Sequence, residues 1–552
     1  FGFTNNFILE WFATNDLRAR AKFGISKNSS TAEVRLSPQH SDFDEMSETE
    51  KGLYTNAQTK NLNYEGDISV TYGHLFAGKH MINAVAGFNF NTKENSKNGY
   101  KAIGFTEDEF DAPSFTNSYP AGSKPTYTES KTRAASFYIN GGYAYDNRYL
   151  FDFNYRSDGT SVFGTNNRFR NTWSVGLGWN IHAEKFMENC DFFQLLKLRG
   201  SVGNPGNQNF ASYQAFSTYA FTHWMSNIFG TGVILEGLGN PDLAWQETIN
   251  YSLGTDVTMF NERVNLTVDL YRKKTDPLVA AITTPSSIGV KSVMMNMGQL
   301  KTDGIEVTLK VSPIYRPQDR FVWNISLNGT HAKSKYSKIG NRLQSMNEQN
   351  QANLNTTRYY DGGSPTDIWA VRSAGIDPAT GQDLFIKKDG TYTFTYDKND
   401  EVVVGNTEPK LEGVLGTTLY YKGLSFGCYL RYRLGGQVFN NALYEKVENI
   451  DREGINYNQD KRALYDRWST PGQEAKFKRI SLFQTTETSS RFVMDENTLS
   501  GESFNVGYEF SQPFIKHVGL YTLTVQANMN DIFRVSSVKS ERGIDYPFAR
   551  TM

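Results

Sequence analysis

The decapeptide RFVWNISLNG, residues 320–329, carries the constraint from which the rest follows. Phe321, Trp323, Ile325 and Leu327 are large and apolar, with Val322, Asn324, Ser326 and Asn328 between them. Successive side chains of a strand point to opposite faces, so one face seeks an apolar surrounding and the other seeks water. The pattern recurs. Tyr149, Phe151, Phe153 and Tyr155 interleave with Leu150, Asp152, Asn154 and Arg156; Trp173, Val175, Leu177, Trp179 and Ile181 interleave with Ser174, Gly176, Gly178, Asn180 and His182. Val264 to Leu270, Ile305 to Val311 and Leu424 to Tyr432 alternate in the same way, and weaker runs cover 66–76, 80–92, 134–146, 195–203, 250–260, 413–422, 503–511 and 518–530. Several runs reach about ten residues, the length a tilted strand needs to cross a bilayer.

The connections sort by length. Tight turns are expected at 144–149 (AYDNRY), 260–263 (FNER), 312–320 (SPIYRPQDR), 420–424 (YYKGL) and 512–519 (QPFIKHVG), rich in the residues that turns need. Long polar stretches at 28–60, 94–130, 203–245, 335–405 and 437–495 lie between them. Brief turns at one end and extended loops at the other are the mark of an up-and-down transmembrane barrel. In such a barrel the apolar face meets lipid, the polar face lines an aqueous lumen, and each backbone N–H and C=O is paired by a neighbouring strand. The expected fold class is therefore all-β, an antiparallel transmembrane β-barrel with long extracellular loops and short periplasmic turns. Tyr149, Tyr155, Trp173 and Trp179 are candidates for interfacial aromatic girdles.

Composition agrees with this reading and removes others. Only 38 % of the 552 residues are hydrophobic, mean hydropathy is -0.53, and 14 % are aromatic. No apolar run is long enough for a membrane helix. A net charge of -1 gives no electrostatic case for nucleic acid. Cys190 and Cys428 are too few for a disulfide framework and read as packing residues. No secretory signal opens the chain at FGFTNNFILEWF.

From about residue 156 the runs resemble the SusC-like branch of TonB-dependent outer-membrane transporters. The resemblance rests on RSDGTSVFGTNNRFRNTWSVGLGWNIHAEKF (156–186), LKLRGSVGNPGNQNF (196–210) and NPDLAWQETINYSLGTDVTMFNERVNLTVDLYRKKTDPLV (240–279), where Gln246 replaces the usual Glu. NMGQLKTDGIEVTL (296–309), GIDPATGQ (375–382), GNTEPKLEGVLGTTLYYKGLSF (405–426) and DRWSTPGQ (466–473) follow in the family's order. The resemblance implies a barrel of about 22 strands in a bacterial outer membrane, with an N-terminal plug inside it. It also implies a SusD-like surface lipoprotein as lid, energy from TonB, and cargo that is usually oligosaccharide and in a minority peptide. Residues 1–552 are expected to be a partial barrel domain of a longer protein, with signal peptide, plug, TonB-binding segment and final strand outside the chain.

No enzyme, cofactor or metal site is expected. The histidines at 40, 74, 80, 182, 223, 331 and 517 show no metal-ligand spacing, and no GxSxG elbow or Walker loop occurs. GIDPATGQDLFIKKDG (375–390) gathers Asp377, Asp383 and Asp389, but lacks the dense acidic spacing and closing Glu of a calcium loop. Substrate-binding candidates come from the long loops: Tyr359, Tyr360, Asp361 and Trp369, and separately His223 and Trp224. Aromatic faces there would stack on sugar rings while polar groups bind hydroxyls. The alternatives are a peptide importer of the same family, a passive porin, and a soluble β-protein. The last would leave its apolar faces exposed beyond what soluble monomers show.

Overall fold

The computed structural model describes the chain except for residues 106–111, 162–167, 206–216, 229, 241, 245, 354, 451–458, 482–484, 511–514, 516, 518 and 539–552. The strands in chain order begin with β1 (Gly2–Phe12), β2 (Leu17–Leu36), β3 (Leu53–Phe76), β4 (His80–Ile103), β5 (Thr126–Tyr145), β6 (Tyr149–Thr160), β7 (Phe169–Asn180) and β8 (Phe193–Asn204). Next come β9 (Thr218–Asn227), β10 (Gly230–Gly237), β11 (Thr248–Met259), β12 (Val264–Thr275), β13 (Leu278–Thr283), β14 (Ser292–Met297), β15 (Gln299–Arg316) and β16 (Phe321–Ser337). After the helix α1 (Gln344–Ala352) follow β17 (Asp367–Ile376), β18 (Asp383–Ile386), β19 (Tyr392–Thr393), β20 (Glu401–Asn406), β21 (Leu411–Tyr421), β22 (Leu424–Phe439), β23 (Val493–Phe510) and β24 (Leu523–Ser536). One 16-stranded sheet takes β1 to β8, β11, β12, β15, β16 and β21 to β24 in that order, each hydrogen-bonded to the next.

The chain divides into two compact units: Phe1–Gly176 with Gly203–Gln246 and Val279–Asn296, and Leu177–Val202 with Glu247–Leu278 and Met297–Met552. In the first, register sets Ile68 opposite Phe88 and Val70 opposite Ala86, one exposed apolar face. The other face is polar: Lys22 pairs with Glu65 at 2.8 Å, and the Tyr138 hydroxyl donates to Asp67 at 3.0 Å. Tyr138 reaches across β4 because Gly87 leaves room; a Cβ there would stand 2.4 Å from the phenol. In the second unit Val268, Val307 and Gly329 share one face, with Leu270 opposite Ile305 and Leu309 opposite Leu327. Its opposite face holds Arg199 between Asp256 at 3.1 Å and Asp269 at 2.8 Å.

Among the described residues no second layer covers the apolar faces within either unit. Leu9 is 71 % exposed, Leu177 63 %, Leu253 51 % and Leu327 40 %. The contiguous buried core, Ile368, Phe439, Leu443, Val447, Phe477 and Phe492, lies instead in and beside the long loops of the second unit. The girdle candidates Tyr149, Trp173 and Trp179 are exposed, and Tyr155 is partly so.

The tight turns match expectation where they are described. Asp146 and Asn147 both have positive φ in the turn between Tyr145 and Tyr149, as do Lys422 and Gly423, the backbone of a two-residue hairpin. Two boundaries differ. Residues 312–316 continue β15, so that turn is confined to 317–320. The stretches 28–60 and 94–130 begin and end in strand: β3 and β4 run for 24 residues each, pairing Thr59 with Lys97 and Asn61 with Asn95 far beyond the apolar band. Once both faces of a strand meet water its alternation vanishes, although its backbone pairing continues. The turn at 512–519 falls largely outside the described residues, as do 206–210 of the glycine-rich GNPGNQNF and the closing GIDYPFARTM.

Candidate functional site

The excursion between β16 and β21 is a small module, not an open loop. β19, β18, β17 and β20 form a four-stranded sheet, and α1 lies beside it. α1 is rich in amides, with Gln344, Glu348 and Gln351 at the spacing that lines one helix face. That face borders a cavity of about 660 Å³, together with Asn341, Tyr360, Trp369, Lys388, Lys398 and Asn399.

The cavity floor is a charge pair. Arg358 donates to both oxygens of Glu401 at 2.9 Å, and Gln351 adds a bond at 3.0 Å. The pair is almost wholly buried, so a bidentate geometry and extra donors are what make its burial tolerable. Above it the rings of Tyr360 and Trp369 sit 5.1 Å apart, tilted by 46°. The Trp369 indole nitrogen is buried and has no acceptor among the described residues.

Of the residues expected from sequence, the structure brings Tyr360 and Trp369 together on this cavity. Tyr359 turns away: its ring packs on Tyr336 at 5.8 Å and its backbone is held by Asn347. Asp361 caps the chain at Ile339 and Gly340, accepting their N–H groups at 2.8 and 3.2 Å. His223 and Trp224 lie on β9, in the β9–β10 hairpin and not in an irregular loop; their side chains are outside the described residues. Asp377, Asp383 and Asp389 serve three separate partners, Thr380, Arg491 and Thr391, and no cluster of metal-ligating side chains occurs among the described residues. Sequence reasoning missed the α1 face and the cations Lys388 and Lys398. The polar spacing within QSMNEQNQA was the available signal.

A second module between β22 and β23 surrounds a buried charge cluster. Arg491 donates to Asp383 and Glu448, each at 2.9 Å, and Thr486 donates to Glu448 at 2.9 Å. Burial works against the Arg491 charge, but its bonds to Glu448 and Asp383 outweigh it and hold the guanidinium above its ordinary value. Burial, with nearby carboxylates, pushes the Tyr444 phenol up to about 12 while its hydroxyl donates to the Thr486 carbonyl at 2.8 Å.

The family model described as TonB dependent receptor-like, beta-barrel matches residues 1–440. Two TonB-dependent receptors of Formosa agariphila are 25 % and 28 % identical over 516 and 475 residues, 85 % and 82 % of this chain but 49 % and 47 % of theirs. The TonB-dependent receptor SusC of Bacteroides thetaiotaomicron is 25 % identical over 451 residues, 77 % of this chain and 43 % of that one. The chain thus spans about half the length of the curated relatives it matches. The solved RagAB peptide transporter superposes on 99 % of this chain and 59 % of its own with a TM-score of 0.85 at 21 % identity, a likeness of fold. The β-barrel fold expected from the alternation is the fold these matches share.

Proposed function

We propose, from the premise that the chain belongs to the TonB dependent receptor-like β-barrel family, that it serves the active import of oligosaccharides. It is an outer-membrane protein. A SusD-like surface lipoprotein is the proposed partner at the loops, and TonB the proposed source of energy. The observation that carries the cargo class is the Tyr360–Trp369 shelf. It offers two ring faces for a pyranose and amide edges from α1 and Asn399 around it.

Calorimetric titration of the full-length protein with a panel of oligosaccharides and short peptides tests this. Trp369→Ala is expected to weaken glycan binding at least tenfold, about 1.4 kcal/mol, with Tyr359→Phe near wild type. Binding of peptides alone, or glycan affinity indifferent to Trp369, would contradict the assignment. Deleting the TonB-binding segment of the full-length protein should abolish uptake and leave binding in place. Uptake that survives it points to a passive porin.

A further inference from the structure

On β12, β15 and β16 the exposed apolar face can be followed away from the short 317–320 turn until its chemistry changes. Register places Leu270, Ile305 and His331 in one cross-strand row. The next row on the same face is Arg272, Asp303 and Lys333, and the one after it is Lys274, Lys301 and Lys335. Where the apolar band ends, cations begin. Lys274, Lys333 and Lys335 are exposed.

Among the described residues, ion pairs neutralise these rows only in part. Asp303 is the one carboxylate in them, and it is engaged by Arg272 at 2.5 Å and Lys301 at 3.5 Å. Nearby Asp276 is taken by Lys338 at 3.1 Å. Asp367, Glu408 and Asp495 beside Lys333 and Lys335 turn to Asn406, Thr366 and Gln437 instead. Among the described residues Lys274, Lys333 and Lys335 form no ion pair. Like charges directly opposite one another destabilise an antiparallel sheet, so a row of three lysines calls for an anion from outside the chain.

Position identifies that anion. At about 3.3 Å per residue and a tilt near 40°, Lys333 and Lys335 stand roughly 30–35 Å above Phe321, just past an apolar band of about 25 Å. They lie at the long-loop end, on the face that continues the lipid-facing one. We propose that these rows bind the phosphate groups of outer-leaflet lipid headgroups, fixing the height of the barrel wall in the membrane.

The test titrates full-length protein in neutral detergent with diphosphorylated lipid A, with the same lipid dephosphorylated, and with inorganic phosphate, read by native mass spectrometry. Replacing Lys274, Lys301, Lys333 and Lys335 by Gln should lower lipid A affinity roughly fivefold per lysine, more than a hundredfold together. Lys310→Gln, on the opposite face of β15, should leave it unchanged. In neutral detergent without lipid the four-Gln variant should melt no lower than wild type, because a repulsion has been removed. Equal binding of dephosphorylated lipid A, indifference to the four substitutions, equal competition by inorganic phosphate at matched phosphate concentration, or a lower melting temperature without lipid would each overturn the proposal.

Discussion

The sheet strands and the loop modules of the second unit solve the same problem in opposite ways. Along β16 the large apolar side chains lie on an uncovered face, Leu327 at 40 % exposure, while Asn324 is bonded to Ser312 at 2.7 Å on the other face. A few turns of chain away, Phe492 and Val447 are fully buried, and they pack beside an enclosed charge cluster. The strands borrow an apolar phase from outside the chain; the modules make their own. Surface and core therefore exchange meaning between the two regions, and a substitution harmless in one should be costly in the other.

The largest expected effect is in the modules. Arg491→Met leaves Glu448 and Asp383 buried without their cation and should cost about 3–5 kcal/mol of local stability. Hydrogen exchange should then show loss of protection across 440–492 with β21 and β22 unchanged; uniform loss through the sheet would erase the distinction drawn here. Leu327→Arg puts a charge on the lipid-facing wall and should cost about 2–4 kcal/mol on refolding into vesicles. Ser326→Arg, one residue away on the polar face, should cost less than about 0.5 kcal/mol.

A smaller effect is set by pH. The folded state holds the Tyr444 phenol neutral up to about 12 against an ordinary value of 10.0. Its contribution is thus fully present below pH 10.0 and is lost as pH rises toward 12. Protease nicking within 440–492 should rise over that window in wild type. Tyr444→Phe should blunt the rise at the price of the Thr486 hydrogen bond, about 0.5–1.5 kcal/mol.

Legibility followed the same division. Strands within the apolar band were readable because two solvents impose period two: 149–155, 173–179, 264–270 and 305–311 all lie in strands of the 16-stranded sheet. The polar ends of β3 and β4 carry no such signal, because water on both sides erases it. In the modules, Tyr360 and Trp369 were visible as aromatics among polar residues, yet their neighbours looked alike: Tyr359 packs on Tyr336 and Asp361 holds the backbone at Ile339 and Gly340. Which of the three adjacent residues Tyr359, Tyr360 and Asp361 faces a cavity depends on the path of the chain at Ile339 and Gly340, a long-range matter that local pattern does not encode. Lys388 and Lys398 come to the cavity from the far side of β18 to β20 and had no local mark.

The central claim is that the Leu327 face meets hydrocarbon while the Ser326 face meets water. In a background lacking Cys190 and Cys428, spin labels on Leu327→Cys and Ser326→Cys of the membrane-reconstituted protein can be compared by power saturation with oxygen and with a water-soluble nickel chelate. The account predicts that oxygen dominates at 327 and the chelate at 326; equal access of the chelate to both positions would contradict it.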